Sequence, residues 1–197
     1  YEIAKIKIES NIKESLNNII KAVELRKNFP PYVKLHLQII SKINNLSLLK
    51  KTIKNYWYSS PNAMLRNIIK DIVIEKEIDS LDFIKQVIKY NFSDDESKKL
   101  LIFFAIKNQD WKIARENIRG LVGSDPTREI CLLMADIELG EDSDKQKSDA
   151  WVMRSQNTKN EFQWRCRITN QTQEEWETLS DSGNFNSLVW SQPKMLN

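Results

Sequence analysis

The sequence predicts an all-α chain of stacked helical hairpins, closed by a small β-hairpin-like C-terminal cap. Three observations lead there. Apolar residues recur at three-and-four spacing almost without a break from residue 10 to about 155. Short polar turns and helix breakers recur at a nearly constant interval. After about residue 156 the helical stripe stops and a polar, strand-like stretch rich in tryptophan begins. Four glycines and five prolines in 197 residues fit helices better than a β-sandwich. The predicted units are residues 1–157, helical, and 158–197, the cap.

Taken in order, the helices show themselves as apolar triplets at offsets 0, 4 and 7, each one face of a helix. These are Leu16, Ile20 and Val23; Leu49, Ile53 and Tyr56; Phe83, Val87 and Tyr90; and Ala114, Ile118 and Leu121. Polar turns sit at "NNLSLL", "EIDSLDF", "NQDWKIA" and "LGEDSD". In them Asn45, Asp79, Asp110 and Glu141 occupy equivalent places, 34, 31 and 31 residues apart. Short polar side chains there cap the next helix by accepting its free N–H groups. The breakers "FPP", "SSP", "NFSDD" and "GSDP" end each hairpin and start the next. Gly120 and Gly123, in "RGLVGSDP", read as helix C-caps rather than a phosphate cradle. A two-helix unit of 31–34 residues is the tetratricopeptide (TPR) period, so the predicted architecture is a TPR-like α-solenoid.

Little reactive chemistry accompanies this frame. His36 is the sole histidine and reads as a packed or rim residue. Cys131 lies in an apolar helical run, and two cysteines make no disulfide framework. No triad, Cys–His pair or paired carboxylate stands out, so the chain reads as a non-enzyme without a cofactor. The longest near-continuous apolar run, "LLIFFAI", is far too short to span a bilayer. Residues 1–137 carry 23 Lys and Arg against 17 Asp and Glu, and residues 138–197 carry 7 against 10. That spread reads as a solvated surface, and no nucleic-acid partner is expected. In a solenoid the first helix of each hairpin lines a concave groove. Lys34, Gln38, Arg66, Lys70, Lys99 and Arg128 are the candidate groove residues, for an extended acidic peptide. The adjacent Tyr56, Trp57 and Tyr58 read as packing between repeats, or as a partner-facing aromatic patch.

The stretches "FPPYVKLHLQII", "NYWYSSPNAML", "NQDWKIARENI" and "REICLLMADIELGEDSDKQKSDAW", with the tail "QWRC…W…SGNFNSLVWSQP", together resemble the C-terminal TPR region of the HemY family. These are bacterial inner-membrane proteins associated with heme biosynthesis. The resemblance runs from about residue 10 to the end. It implies a scaffold that gathers or regulates heme-pathway enzymes, with this domain on the cytoplasmic side of the membrane. It also implies an upstream membrane anchor, outside this chain, which begins at Tyr1. The repeats alone are also compatible with a related membrane-anchored TPR scaffold of lipopolysaccharide assembly. A tetrapyrrole-binding module, acting through His36 or Cys166, is a further alternative.

In related TPR proteins the tail is a zinc knuckle with two Cys-x-x-Cys pairs. Here those positions fall on Cys166, Thr169, Leu179 and Ser182. One thiol with Thr, Leu and Ser does not supply the four N or S donors structural zinc takes, so no bound metal is expected. The spacing of Trp164, Trp176, Gly183 and Trp190 instead predicts a metal-free cap held by packing, with the tryptophans set on or near the last helices around Ala150 and Trp151.

Overall fold

The computed structural model describes residues 1–123, 125–158 and 162–192. These form ten helices and three strands in two compact units, Tyr1–Ser155 and Gln156–Asn197. The helices are α1 (Glu2–Lys7), α2 (Ile12–Leu25), α3 (Pro30–Lys42), α4 (Leu46–Ser59), α5 (Ala63–Glu75), α6 (Ser80–Ile88), α7 (Asp95–Lys107), α8 (Trp111–Ile118), α9 (Arg128–Asp142) and α10 (Lys145–Gln156).

Four reversals, α3–α4, α5–α6, α7–α8 and α9–α10, share one backbone device. Asn44, Glu77, Gln109 and Ser143 each adopt a left-handed conformation, with φ of 58°, 48°, 57° and 54°. They stand 33, 32 and 34 residues apart. A left-handed residue lets the chain turn off one helix while its amide still bonds that helix's last carbonyls. Asn45 then accepts the Leu48 N–H at 3.0 Å and Asp110 the Ile113 N–H at 3.1 Å. Asp79 stands at the N-cap of α6 but makes no capping bond through its side chain. The expected fourth cap, Glu141, lies inside α9 instead; Asp144 does the capping, accepting the Lys147 N–H at 3.0 Å. Between hairpins, Asn62, Asp94 and Thr127 cap α5, α7 and α9, and Pro30 opens α3. Gly120 and Gly123 follow α8 without the positive φ a left-handed C-cap requires, so that role is not theirs.

The buried faces follow the sequence pattern with one shift. On α2 the inward stripe is Ser15, Ile19 and Ala22. Leu16, Ile20 and Val23 are only half-buried, because Ser15 donates to the Ala4 carbonyl at 2.6 Å and turns that face toward α1. On α6, Phe83 and Val87 are buried while Tyr90 stands in solvent beyond the helix end. The apolar core runs as three clusters: one between α1, α2 and α3, a large one from α3 to α7, and one joining α7, α8 and α9. Trp57 is fully buried in the large cluster, and its Nε1–H donates to Ser97 Oγ at 2.9 Å. First helices touch first helices, α3 to α5, α5 to α7 and α7 to α9, and the second helices α4 and α6 also touch.

The second unit differs from a simple hairpin. Strands β1 (Gln163–Cys166), β2 (Thr172–Gln173) and β3 (Leu188–Ser191) form an antiparallel sheet in the order β2-β1-β3. The central strand pairs on one side across a short turn and on the other with a strand far along the chain. Trp164 is registered opposite Trp190, ring centroids 5.3 Å apart and edge to face. Trp164 and Trp176 are buried, Trp190 is partly open, and Gly183 turns the chain with φ of 77°.

Gly140 on α9 gives a direct test of the helical packing. A Cβ built there runs into the indole ring of Trp111 at the start of α8. Gly140→Ala is expected to destabilise the chain by about 1–3 kcal/mol through overpacking. In urea unfolding, Trp111→Leu in the same chain should recover part of that loss, and equal losses with and without it would refute the contact.

Candidate functional site

Residues about one repeat apart meet on the first helices. Arg66 projects from α5 and is 4% exposed. Its guanidinium bonds Glu96 on α7 through Nη1 and Glu129 on α9 through Nη2, the latter at 2.8 Å. Glu96 also accepts from Lys99 Nζ at 2.7 Å. Lys70, one turn beyond Arg66, lies with Nζ 3.9 Å from the centre of the Phe103 ring. Burial pushes the Lys70 ammonium below the ordinary lysine value and the Arg66 charge adds to that, while Glu129 and Asp71 oppose it. The result is a polar strip along α5, α7 and α9 with three cations and two carboxylates at its centre.

Of the six expected groove residues, the structure thus brings together Arg66, Lys70 and Lys99. Lys34 and Gln38 stand on α3, half-buried and exposed, and Arg128 is exposed at the start of α9. Arg66 is not open to a partner: its two carboxylates fasten three consecutive first helices, and its Nε is buried without an acceptor. Glu96, Glu129 and Phe103 escaped the sequence reading. Their signal was the repeat itself, since Arg66, Glu96 and Glu129 are spaced 30 and 33 residues apart.

The aromatic run on α4 divides by side. Trp57 packs inward and Tyr56 is half-buried, its hydroxyl sharing a 2.6 Å hydrogen bond with His36 Nδ1. Burial lowers the His36 pKa and raises that of Tyr56 to about 12, so both are neutral at neutral pH. Tyr58 points to solvent, edge to face against Tyr90 of the next hairpin with centroids 5.6 Å apart.

In the sheet unit, Cys166 is 1% exposed and ringed by hydroxyls. Its Sγ lies 3.3 Å from Ser187 Oγ and 3.9 Å from Ser180 Oγ, and Asn184 Nδ2 donates toward it from 3.8 Å. Thr169 Oγ1 donates to Ser182 Oγ at 3.2 Å beside it. Three of the four knuckle positions therefore converge. The fourth, Leu179, is exposed and bridges Phe185, while its neighbour Ser180 faces the thiol. Hydrogen bonds from Ser182 first, then Ser187 and Thr169, bring the Cys166 thiol down to about 5. Cys131, buried on α9, is pushed the other way by desolvation. Among the described residues no group of three His, Cys, Asp or Glu side chains could hold a metal ion.

Two measurements check this geometry. Arg66→Ala leaves two carboxylates without their partner and should cost about 3 kcal/mol in urea unfolding, against about 1 kcal/mol or less for Lys99→Ala. Equal losses would remove the latch. In a Cys131→Ala chain, ultraviolet thiolate absorbance should titrate near pH 5, and Ser182→Ala should move the midpoint upward. Because the folded pKa lies below the free-thiol value of 9.0, this stabilisation is complete above about pH 9. It is lost as pH falls through about 5. A midpoint near 9 would refute it.

The chain matches no protein-family model, no curated protein and no solved structure, so its function has to be argued from its own residues.

Proposed function

We propose that the chain is a non-enzymatic TPR-like scaffold whose first helices line a groove for an extended protein segment. The observation that carries this is the stacking of α3, α5, α7 and α9 as neighbours, repeated by reversals 33, 32 and 34 residues apart. Such stacking presents equivalent positions of successive helices as a continuous ledge, the usual peptide-binding surface of helical repeats. Gln38, Lys70 and Arg128 are the residues on this ledge best suited to meet a partner, with Lys34 and Lys99 beside them. Arg66 holds the ledge together. The preferred partner segment is acidic, because Lys70 and the exposed Arg128 both lie on this ledge.

Following the HemY resemblance, the partners are heme-biosynthesis enzymes. The chain is then the aqueous part of a membrane-anchored protein at the bacterial inner membrane, on its cytoplasmic side. The anchor in this reading comes from the resemblance; among the described residues no helix is long and apolar enough to cross a membrane. Direct tetrapyrrole binding has less support: His36 Nδ1 is engaged by Tyr56, and Cys166 is enclosed by its hydroxyls.

Capture from native membranes with the anchored protein as bait should enrich late tetrapyrrole-pathway enzymes. Lys70→Glu with Arg128→Glu should reduce that recovery at least tenfold while leaving the far-ultraviolet circular dichroism unchanged. Recovery of lipopolysaccharide-assembly factors alone would transfer the scaffold to that process. Heme titration should leave the Soret band unshifted, and a shift abolished by His36→Ala would replace the scaffold reading.

A further inference from the structure

The opposite side of the helical unit carries a different chemistry. From Leu25 to Lys70 the chain contains nine Lys and Arg and no Asp or Glu at all. Helix α4 lies in the middle of that stretch. Its inward face is Leu49, Ile53 and Trp57, and Leu48, Lys51 and Tyr58 are exposed on the face away from them. Helix α6, packed beside α4, adds exposed Lys85 and Lys89 and leads into Tyr90. Asp82, 3.9 Å from Lys85, and the exposed Asp79 at the N-cap of α6 temper this charge. Large apolar side chains stand in solvent at both ends of α4. Leu46 and Leu48 do so at its start, and at its end Tyr58 and Tyr90, 63% and 72% exposed, lean on each other across the two hairpins.

We propose that this α4–α6 face docks on an anionic lipid surface. A surface helix with lysines on its outer side and apolar residues beside them lies in the plane of a bilayer interface. There tyrosine rings sit at headgroup depth and lysines meet lipid phosphate. The cations on this face are all lysine. Lysine is a flexible point charge suited to a diffuse anionic plane, whereas recognition of paired carboxylates or nucleic-acid phosphates favours the fork of arginine. Tyr58 and Tyr90 also stack edge to face on one another, which occupies a ring face that a base would need. An acid-free segment of this length removes the local carboxylates that would otherwise repel the bilayer. The face and the proposed peptide ledge lie on different helices, so one chain can hold a protein segment while resting on a membrane.

The test is co-sedimentation of the purified chain with vesicles of phosphatidylcholine alone or with a third phosphatidylglycerol. Binding is expected only to the mixed vesicles and should fall steeply with salt. Lys51→Glu with Lys85→Glu should weaken it at least tenfold, and the milder Lys51→Gln with Lys85→Gln about fivefold or more, with circular dichroism unchanged. Tyr58→Ser with Tyr90→Ser should weaken it severalfold while preserving the salt dependence. The proposal falls if mixed vesicles bind no better than phosphatidylcholine, or if the folded charge-reversed variant binds as well as the parent. It also falls if the same lysines capture single-stranded RNA while the chain ignores the mixed vesicles.

Discussion

Each reversal between helices must satisfy four carbonyls at the end of one helix and four amides at the start of the next, within two or three residues. The helical unit meets this constraint with a non-glycine residue in the left-handed region at each of four turns. In three of them Asn45, Asp110 or Asp144 accepts an amide of the next helix. A left-handed Asn, Gln, Glu or Ser costs about 1–2 kcal/mol, and a side-chain cap returns about 1 kcal/mol. The remainder is offset by packing each helix pair. Because every reversal is solved alike, the hairpins share one pitch. A shared pitch sets first helix beside first helix, and only then do residues some thirty positions apart become neighbours. The Arg66 strip and the Tyr58–Tyr90 pair both descend from that geometry.

Apolar stacking alone leaves the relative position of neighbouring helices loosely set, since one isoleucine stripe packs on another at several registers. Arg66 narrows the choice. Its two carboxylates come from α7 and α9, so a slip of either helix by one turn would leave a charge buried and unpaired. Such groups add little net stability compared with apolar substitutes, yet penalise misalignment strongly. Trp57 acts similarly through its single N–H on Ser97. Arg115 ties α8 to α9 through Glu138, at 2.6 Å, and Glu141, at 2.5 Å. That bond also explains why Glu141 is no cap: its carboxylate serves a neighbouring helix while its backbone completes α9.

Helix faces were legible wherever a triplet of large apolar residues had no small rival beside it, as with Leu49–Ile53 and Ala114–Ile118. On α2 the rival stripe Ser15–Ile19–Ala22 won, because small residues allow the close approach of α1 that Leu16 would block. The spacing of the turns was legible, but not which of two adjacent polar residues would cap. The groove was half legible. Cations were visible as a pattern, whereas Glu96 and Glu129 look like ordinary helix-start acids until the stacking sets them against Arg66. The acid-free stretch was plain in the sequence, but its meaning depends on knowing that Lys51 and Tyr58 share one exposed face.

The sheet unit gathers its two loops around a single sulfur. Left-handed Asn170 and Gly183 turn two loops inward, with φ of 62° and 77°. The loops deliver hydroxyls rather than thiolates to Cys166. A metal ion would bind both loops through coordination bonds. Here the Cys166 sulfur donates to Ser187 Oγ at 3.3 Å and accepts from Ser180 Oγ and Asn184 Nδ2, at 3.9 and 3.8 Å. The Trp164–Trp190 pair lies two residues away on the same two strands and, with buried Trp176 and Leu188, supplies apolar area to a small unit. Cross-strand aromatic packing holds the strands, and the hydrogen bonds around Cys166 join the loops.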